Sequence, residues 1–172
     1  MASRRILAWI SAAAVGGWAA LWVAALSPAA TVPAPSGPIA CAGCDLAGVD
    51  WAHRGLEGAV LDGADLSGAR LTGARMAGAR LAGARLAGAN LFGADLTGAD
   101  LTGASLAKAN LASAVLAGAV LAGADLSRAN QVGTVLTGAR LDGARLAGAF
   151  IHDAYLCGVR LPAAAGTHHR RC

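Results

Sequence analysis

The chain has 172 residues, 56% of them hydrophobic, and a formal net charge of +4. Ten basic and ten acidic residues lie between Asp45 and Leu161, so the whole excess is Arg4, Arg5, Arg170 and Arg171 in the tails. A neutral middle with basic ends excludes a basic nucleic-acid-binding face, which needs its positive charge clustered on the folded surface.

In chain order, residues 1–27 come first. Arg4 and Arg5 precede an uncharged run from Ile6 to Leu26 that holds Trp9, Trp18 and Trp22. Its 21 residues are enough for a helix to cross a bilayer and exceed the usual apolar core of a secretory signal. The paired arginines put the start of that helix in the cytoplasm. Two readings follow. As a signal anchor, residues 6–26 hold the protein in a bacterial inner membrane by a single pass, with the remainder on the periplasmic side. As a cleaved signal, the small residues of Ser27-Pro28-Ala29 offer a peptidase site, and the mature protein is periplasmic or secreted. Residues 28–43 carry Pro28, Pro33, Pro35 and Pro38 and read as an extended Pro-rich linker.

Leucine then recurs every five residues from Leu46 to Leu161, filling 20 of 24 positions. Trp51, Met76, Gln131 and Ile151 are the exceptions. Two residues before each position, 19 of 24 are Ala; two residues after, 18 of 24 are Gly. On a helix, successive leucines would stand about 140° apart and form no stripe. On a strand, an odd period would send them to alternate faces. A chain that turns once per repeat keeps every Leu inside. In Ala64-Asp65-Leu66-Ser67-Gly68, Ala64 and Leu66 face inward, Asp65 faces outward, and Ser67-Gly68 makes the corner. Four corners close a 20-residue coil, and the repeats of residues 44–163 make about six coils, roughly 29 Å of stacked strands. The expected class is all-β: a solenoid whose axis is filled by Leu, preceded by the N-terminal hydrophobic helix. Residues 164–172 form a short basic tail.

Runs such as Ala94-Asp95-Leu96-Thr97-Gly98-Ala99-Asp100-Leu101-Thr102-Gly103 and Ala89-Asn90-Leu91-Phe92-Gly93 resemble the pentapeptide-repeat family, whose consensus is A-[DN]-L-x-x. The resemblance implies a right-handed quadrilateral β-helix; the spacing alone does not set the hand. Cys41-Ala42-Gly43-Cys44-Asp45-Leu46 is similar to the start of the first coil in many members. The best-known members resemble duplex DNA and bind DNA gyrase, protecting it from quinolones. That mimicry relies on a strongly negative cytoplasmic rod, whereas this rod is neutral and follows an export signal.

Residues 20 apart share a wall position in consecutive coils. This pairs Asp65 with Arg85, Arg75 with Asp95, Arg80 with Asp100 and Asp125 with Arg145, all of opposite sign. Exposed pairs of this kind stabilise by about 0–1 kcal/mol each. Asn90, Asn110 and Asn130 stack as a side-chain amide ladder. The charges therefore read as register devices, with recognition by Arg70, Arg75, Arg80 and Arg85 as the alternative.

Cys41 and Cys44 are the best candidates for chemistry. The pair lacks a thioredoxin-like setting and lacks two partners for zinc, so the reading is an N-terminal cap, with a disulfide possible after export. A bond from Cys157 to Cys172 would pin the tail. His152 and Asp153 with His168 and His169 form a metal-capable set, but two of them lie on an unscaffolded tail, so no metal is expected. No cofactor, small-molecule or nucleic-acid site is expected, nor any catalytic residue, because a convex wall offers neither concavity nor desolvated groups. Gln131 falls at an inward Leu position and Thr134 at an Ala position, so the coil is expected to bulge there to satisfy the amide.

Outward positions become apolar in the later coils. Val115, Val135 and Tyr155 stack on one wall, with Val120 on the next and Phe150 on the wall before. Contiguous exposed apolar surface marks an interface, whereas β-propensity alone also favours Val and Tyr there. The functional expectation is a non-enzymatic interaction or scaffold module that binds an unknown protein partner or a second copy of itself.

Overall fold

The computed structural model describes residues 39–160. The helix expected over residues 6–26 and the tail 164–172 lie outside them. Among the described residues, no helix is long and apolar enough to cross a membrane.

Each repeat contributes one bridging residue, the one before the Leu position, and then a corner. At Leu56, for example, the carbonyl accepts the Ala59 N–H at 3.0 Å across Glu57-Gly58. Gly58 sits at φ 64°. A positive φ at the third residue only is the mark of a type II turn, which is why Gly recurs there. Five corners hold a side chain in the same left-handed region: His53, Lys108, Ser113, Arg128 and Asp153, with φ between 55° and 59°.

Every β-bridge among the described residues is parallel and joins positions 20 apart. Four walls result. The first carries Asp45, Asp65, Arg85, Ser105, Asp125 and Arg145; the second Asp50, Arg70, Asn90, Asn110, Asn130 and Phe150. The third carries Gly55, Arg75, Asp95, Val115, Val135 and Tyr155; the fourth runs from Ala40 through Val60, Arg80, Asp100, Val120 and Arg140 to Arg160. The ladder follows one rule. The Leu86 N–H donates to Ser105 O at 2.7 Å and the Gly88 N–H to Ala107 O at 2.9 Å, one coil on, while the Arg85 N–H donates back to Ala64 O at 2.8 Å. Within an interior repeat, only the N–H after Leu and the carbonyl at the corner have no backbone partner.

The core is the expected column. From Leu61 to Leu111, every inward Leu, Met and Ala is 0% exposed. Each fully buried Leu is stabilised by about 1.5–3 kcal/mol relative to an exposed one. Small Ala at the second inward position lets the walls approach closely, so the column has no room for a lumen. In the first coil Trp51, 5% exposed, replaces Leu below Leu71. Leu46 at one end and Leu146, Ile151 and Val159 at the other are only partly buried, because no described coil stacks beyond them.

Gln131 departs from the expectation. The coil does not bulge: the Gln131 N–H donates to Phe150 O at 2.8 Å and the Thr134 N–H to Gln131 O at 3.2 Å, as in every regular corner. The bridges Asn110–Asn130 and Val115–Val135 flank the site on both sides and hold the register. Gln131 therefore points into the column at 1% exposure. Its Nε2 has no hydrogen-bond partner. Thr134, 0% exposed, satisfies its own hydroxyl by donating to Leu111 O at 2.9 Å.

Candidate interaction surface

The acidic and amide residues on the walls have a local task. Asp65 Oδ1 accepts the Ser67 N–H at 3.0 Å, and Asp95 and Asp100 accept the Thr97 and Thr102 N–H groups, also at 3.0 Å. Asn90, Asn110 and Asn130 accept the N–H two residues on at 3.2 Å each. These N–H groups are the ones the ladder leaves over, so a short side-chain acceptor before Leu completes the backbone of its own corner. Thr97 and Thr102 add a hydroxyl bond to the same carboxylates at 2.6 Å. Hydrogen bonds from the hydroxyl and amide of Thr102 hold the Asp100 carboxyl below its ordinary range, with a smaller contribution from Arg80. Ser67 and Ser127 act in the same way on Asp65 and Asp125, assisted by Arg85 and Arg145.

Four arginines encircle one coil, one on each wall, and each reaches toward the N-terminal side for an acid. Arg70 meets Asp50 at 3.2 Å, Arg75 meets Glu57 at 2.8 Å, Arg80 meets Asp62 at 2.8 Å and Arg85 meets Asp65 at 3.7 Å. Of the four expected vertical pairs, Asp65–Arg85 is thus an ion pair. Arg75 and Arg80 stay bridge neighbours of Asp95 and Asp100, but their guanidinium groups go to Glu57 and Asp62 at the corners of the preceding coil. Asp95 and Asp100 are already engaged by their threonines, which leaves the corner acids as the better acceptors. With 65–69% of each arginine side chain exposed, every pair contributes at most about 1 kcal/mol. Together they fasten two coils on all four sides. The asparagine ladder is present as well, Asn110 donating to Asn90 and Asn130 to Asn110 at 3.3 Å each.

Cys41 and Cys44 form a disulfide, with Cα atoms 5.5 Å apart. Cys41 takes the Leu slot and Cys44 the Ala slot of one corner, and the Cys44 N–H donates to Cys41 O at 3.3 Å. A β-turn brings its first and fourth residues within 7 Å by definition, inside the range a disulfide requires. Cys157, facing outward in the last coil, is also disulfide-bonded. Cys172, His168 and His169 lie outside the described residues. Among the described residues, no group of three or more His, Cys, Asp or Glu is placed to hold a metal.

The apolar residues divide. Val115, Val135 and Tyr155 are bridged directly to one another on the third wall. Phe150 stands on the second wall of the same coil as Tyr155; they are 58% and 51% exposed. Val132, 40% exposed at the corner between those walls, joins them and was not singled out by the outward-position pattern because it follows the inward residue. Val120 stands apart on the fourth wall, bridged to Asp100 and Arg140. The surface is thus an apolar edge along the later coils, beside walls of alternating charge.

Four walls of single-residue bridges around a Leu column define a quadrilateral β-solenoid built from five-residue units. A family model described as pentapeptide repeats, in 8 copies, matches residues 41–76, 69–106, 94–130 and 132–161. The chain belongs to the pentapeptide-repeat family, whose fold is a right-handed β-helix. Among solved structures it is similar to HetL, a pentapeptide repeat protein involved in heterocyst differentiation regulation from the cyanobacterium Nostoc sp. strain PCC 7120. They share 33% identity over 73% of each chain, with a TM-score of 0.36. Rfr23 from the cyanobacterium Cyanothece 51142 is 28% identical over 71% of this chain and 90% of its own, with a TM-score of 0.41. QnrB1, a plasmid-mediated fluoroquinolone resistance protein, is 20% identical over 71% and 72%, with a TM-score of 0.47. No curated protein matches the chain.

Proposed function

We propose that the protein is a non-enzymatic interaction module, exported and held at the extracytoplasmic face of the inner membrane through residues 6–26. Its binding surface is the apolar edge of the later coils. The observation that carries this reading is the gathering of Val115, Val135 and Tyr155 beside Phe150 and Val132, whereas apolar side chains elsewhere, Val60, Phe92 and Val120, stand singly. Exposed apolar side chains gathered on one edge gain from burial against a partner, and the stiff ladder beneath them means little ordering on binding. The partner is a protein with a complementary apolar strip, or a second copy of the chain. The export reading rests on the uncharged run after Arg4-Arg5. A duplex-DNA mimic would need a continuous acidic wall, whereas here each wall interleaves Asp with Arg, Asn, Ser or Val.

The test has two arms. Alkaline phosphatase fused after Leu161 should be active, and a stable but inactive fusion refutes the topology. Changing Val115, Val135 and Tyr155 together to Thr in the full chain should abolish self-association or partner capture while the solenoid stays folded. A triple variant that keeps every partner, from a parent that is monomeric at high concentration, refutes the interface.

A further inference from the structure

Among the described residues, side chains held at positive φ are confined to the two borders of one wall. Lys108 and Arg128 stand at the corner between the first and second walls, and His53, Ser113 and Asp153 at the corner between the second and third. The other two corner columns, Gly43 to Gly143 and Gly58 to Gly158, keep glycine in every coil. A left-handed side chain costs stability that glycine would not. The solenoid gives no reason for these five, and still less for their gathering along the second wall.

Lys108 and Arg128 carry a further cost. They are 20 residues apart, so like charge stands over like charge at one coil spacing, about 4.8 Å. Both are exposed, and among the described residues neither makes an ion pair. On the adjoining first wall the Asp125 carboxylate is taken by the Ser127 N–H at 2.9 Å, and its bridge neighbour Arg145 adds another cation. Glycine at either corner would remove both strain and repulsion, so the pair has its reason outside the fold.

The wall beside them is rich in hydrogen-bond donors. Asn90 Oδ1 accepts the Phe92 N–H and an Asn110 amide hydrogen; Asn110 Oδ1 accepts the Ala112 N–H and one from Asn130. Both oxygens are thereby spent, whereas each amide nitrogen has two hydrogens and the ladder uses one. The strip therefore turns outward amide N–H groups, an ammonium and a guanidinium. On its far border Phe92, 47% exposed, sets a flat apolar ring next to Asn90.

We infer that the second wall from Asn90 to Asn130 binds an acidic polysaccharide. Lys108 and Arg128 meet its carboxylates, the asparagine amides donate to its hydroxyl and ring oxygens, and Phe92 packs under the C–H face of one sugar. The donor surplus selects among polyanions. An extended acidic peptide brings backbone N–H groups that need acceptors, and the ladder has spent them. A nucleic acid is held through many phosphate contacts, for which Lys108, Arg128 and Arg145 are too few. The three coils from Phe92 to Arg128 span roughly 10 Å, room for a short run of sugar rings. Because the cations are exposed, binding is weak and falls with salt. The site is separate from Val115, Val135 and Tyr155, which lie on the third wall.

Oligogalacturonate titrated into the full chain should shift the side-chain amide signals of Asn110 and Asn130 saturably, and its methyl ester, which lacks the charge, should not. The double variant Lys108→Gly, Arg128→Gly should bind at least about tenfold more weakly. It should also melt no lower than the parent, because both strained corners are relieved. Lys108→Arg should keep the binding, and so should the triple change of Val115, Val135 and Tyr155 to Thr. The site is overturned by absent shifts, by equal binding of the methyl ester, by tighter binding of polyglutamate, or by a double variant that binds like the parent or melts below it.

Discussion

Replacing Gln131 by Leu should stabilise the solenoid, by an amount its surroundings set. The side chain stands directly above Leu111, Leu91 and Leu71, all fully buried, and its Nε2 has no partner. A buried donor left unpaired costs about 1–3 kcal/mol. Leu at the same place restores about 1–2 kcal/mol of apolar burial and, having nearly the volume of Gln, does not overpack the site. The expected gain is therefore about 2–5 kcal/mol, which in a domain of this size raises the thermal midpoint by roughly 6–20 °C. Thr134→Ala is the companion variant: it removes the bond to Leu111 O and so separates the amide from its polar neighbour. The measurement is thermal and urea denaturation of the two single variants and the double. Exchange at the Gln131 and Leu136 amides then locates the change. If Gln131→Leu is neutral or destabilising, the amide is served within the column, and the inward residue is not a defect.

Three more outcomes follow from the corners and walls. Lys108→Gly and Arg128→Gly relieve side chains held at φ 59°, and each should gain about 0.5–1 kcal/mol in urea denaturation, whereas Gly98→Ala should lose about 1–2 kcal/mol although its new methyl meets nothing within 4 Å. Asp65, Asp100 and Asp125 have folded pKa values below the ordinary 3.8, so their contribution is complete above that value and is lost as the pH falls through the lowered folded values. Thr102→Val should move the Asp100 titration, read by carboxyl NMR, back up toward the ordinary value. A double-mutant cycle on Arg80 should show coupling to Asp62 of at most about 1 kcal/mol, reduced by salt, and less to Asp100.

The fold was legible because one number, the period of five, is incompatible with both common elements and compatible with a turning chain. The corner glycines were legible for the same reason. What stacking could not reveal was where long side chains go. Register makes Asp100 the backbone neighbour of Arg80, but a guanidinium on a flexible stem reaches round the corner to Asp62, and Asp100 is occupied by Thr102. The second task of the outward Asp and Asn residues was hidden too, since it depends on one leftover N–H per repeat that appears only when the ladder is drawn bond by bond. At Gln131 a polar residue in an apolar slot suggested a bulge, yet the bridges on both sides constrain the backbone more tightly than one amide can distort it. The apolar edge was legible only in part: Val115, Val135 and Tyr155 follow from the register, whereas Val132 sits at a corner position and shows itself only through its exposure.

The vertical pairs give the chain a unit of growth larger than its repeat. Inserting or deleting one pentapeptide leaves the Leu column intact, since any five-residue unit fits any wall. It also turns every later repeat by one wall relative to the earlier ones, so a change between Asn110 and Asn130 would part that pair, and one between Val135 and Tyr155 would part those two. The arginine belt would part from its acids if the change fell between them. Only changes in steps of 20 residues preserve both the core and the decoration. Lengthening by single repeats is therefore tolerated by the fold and resisted by the surface. A rod of this kind keeps its apolar edge straight by gaining or losing whole coils.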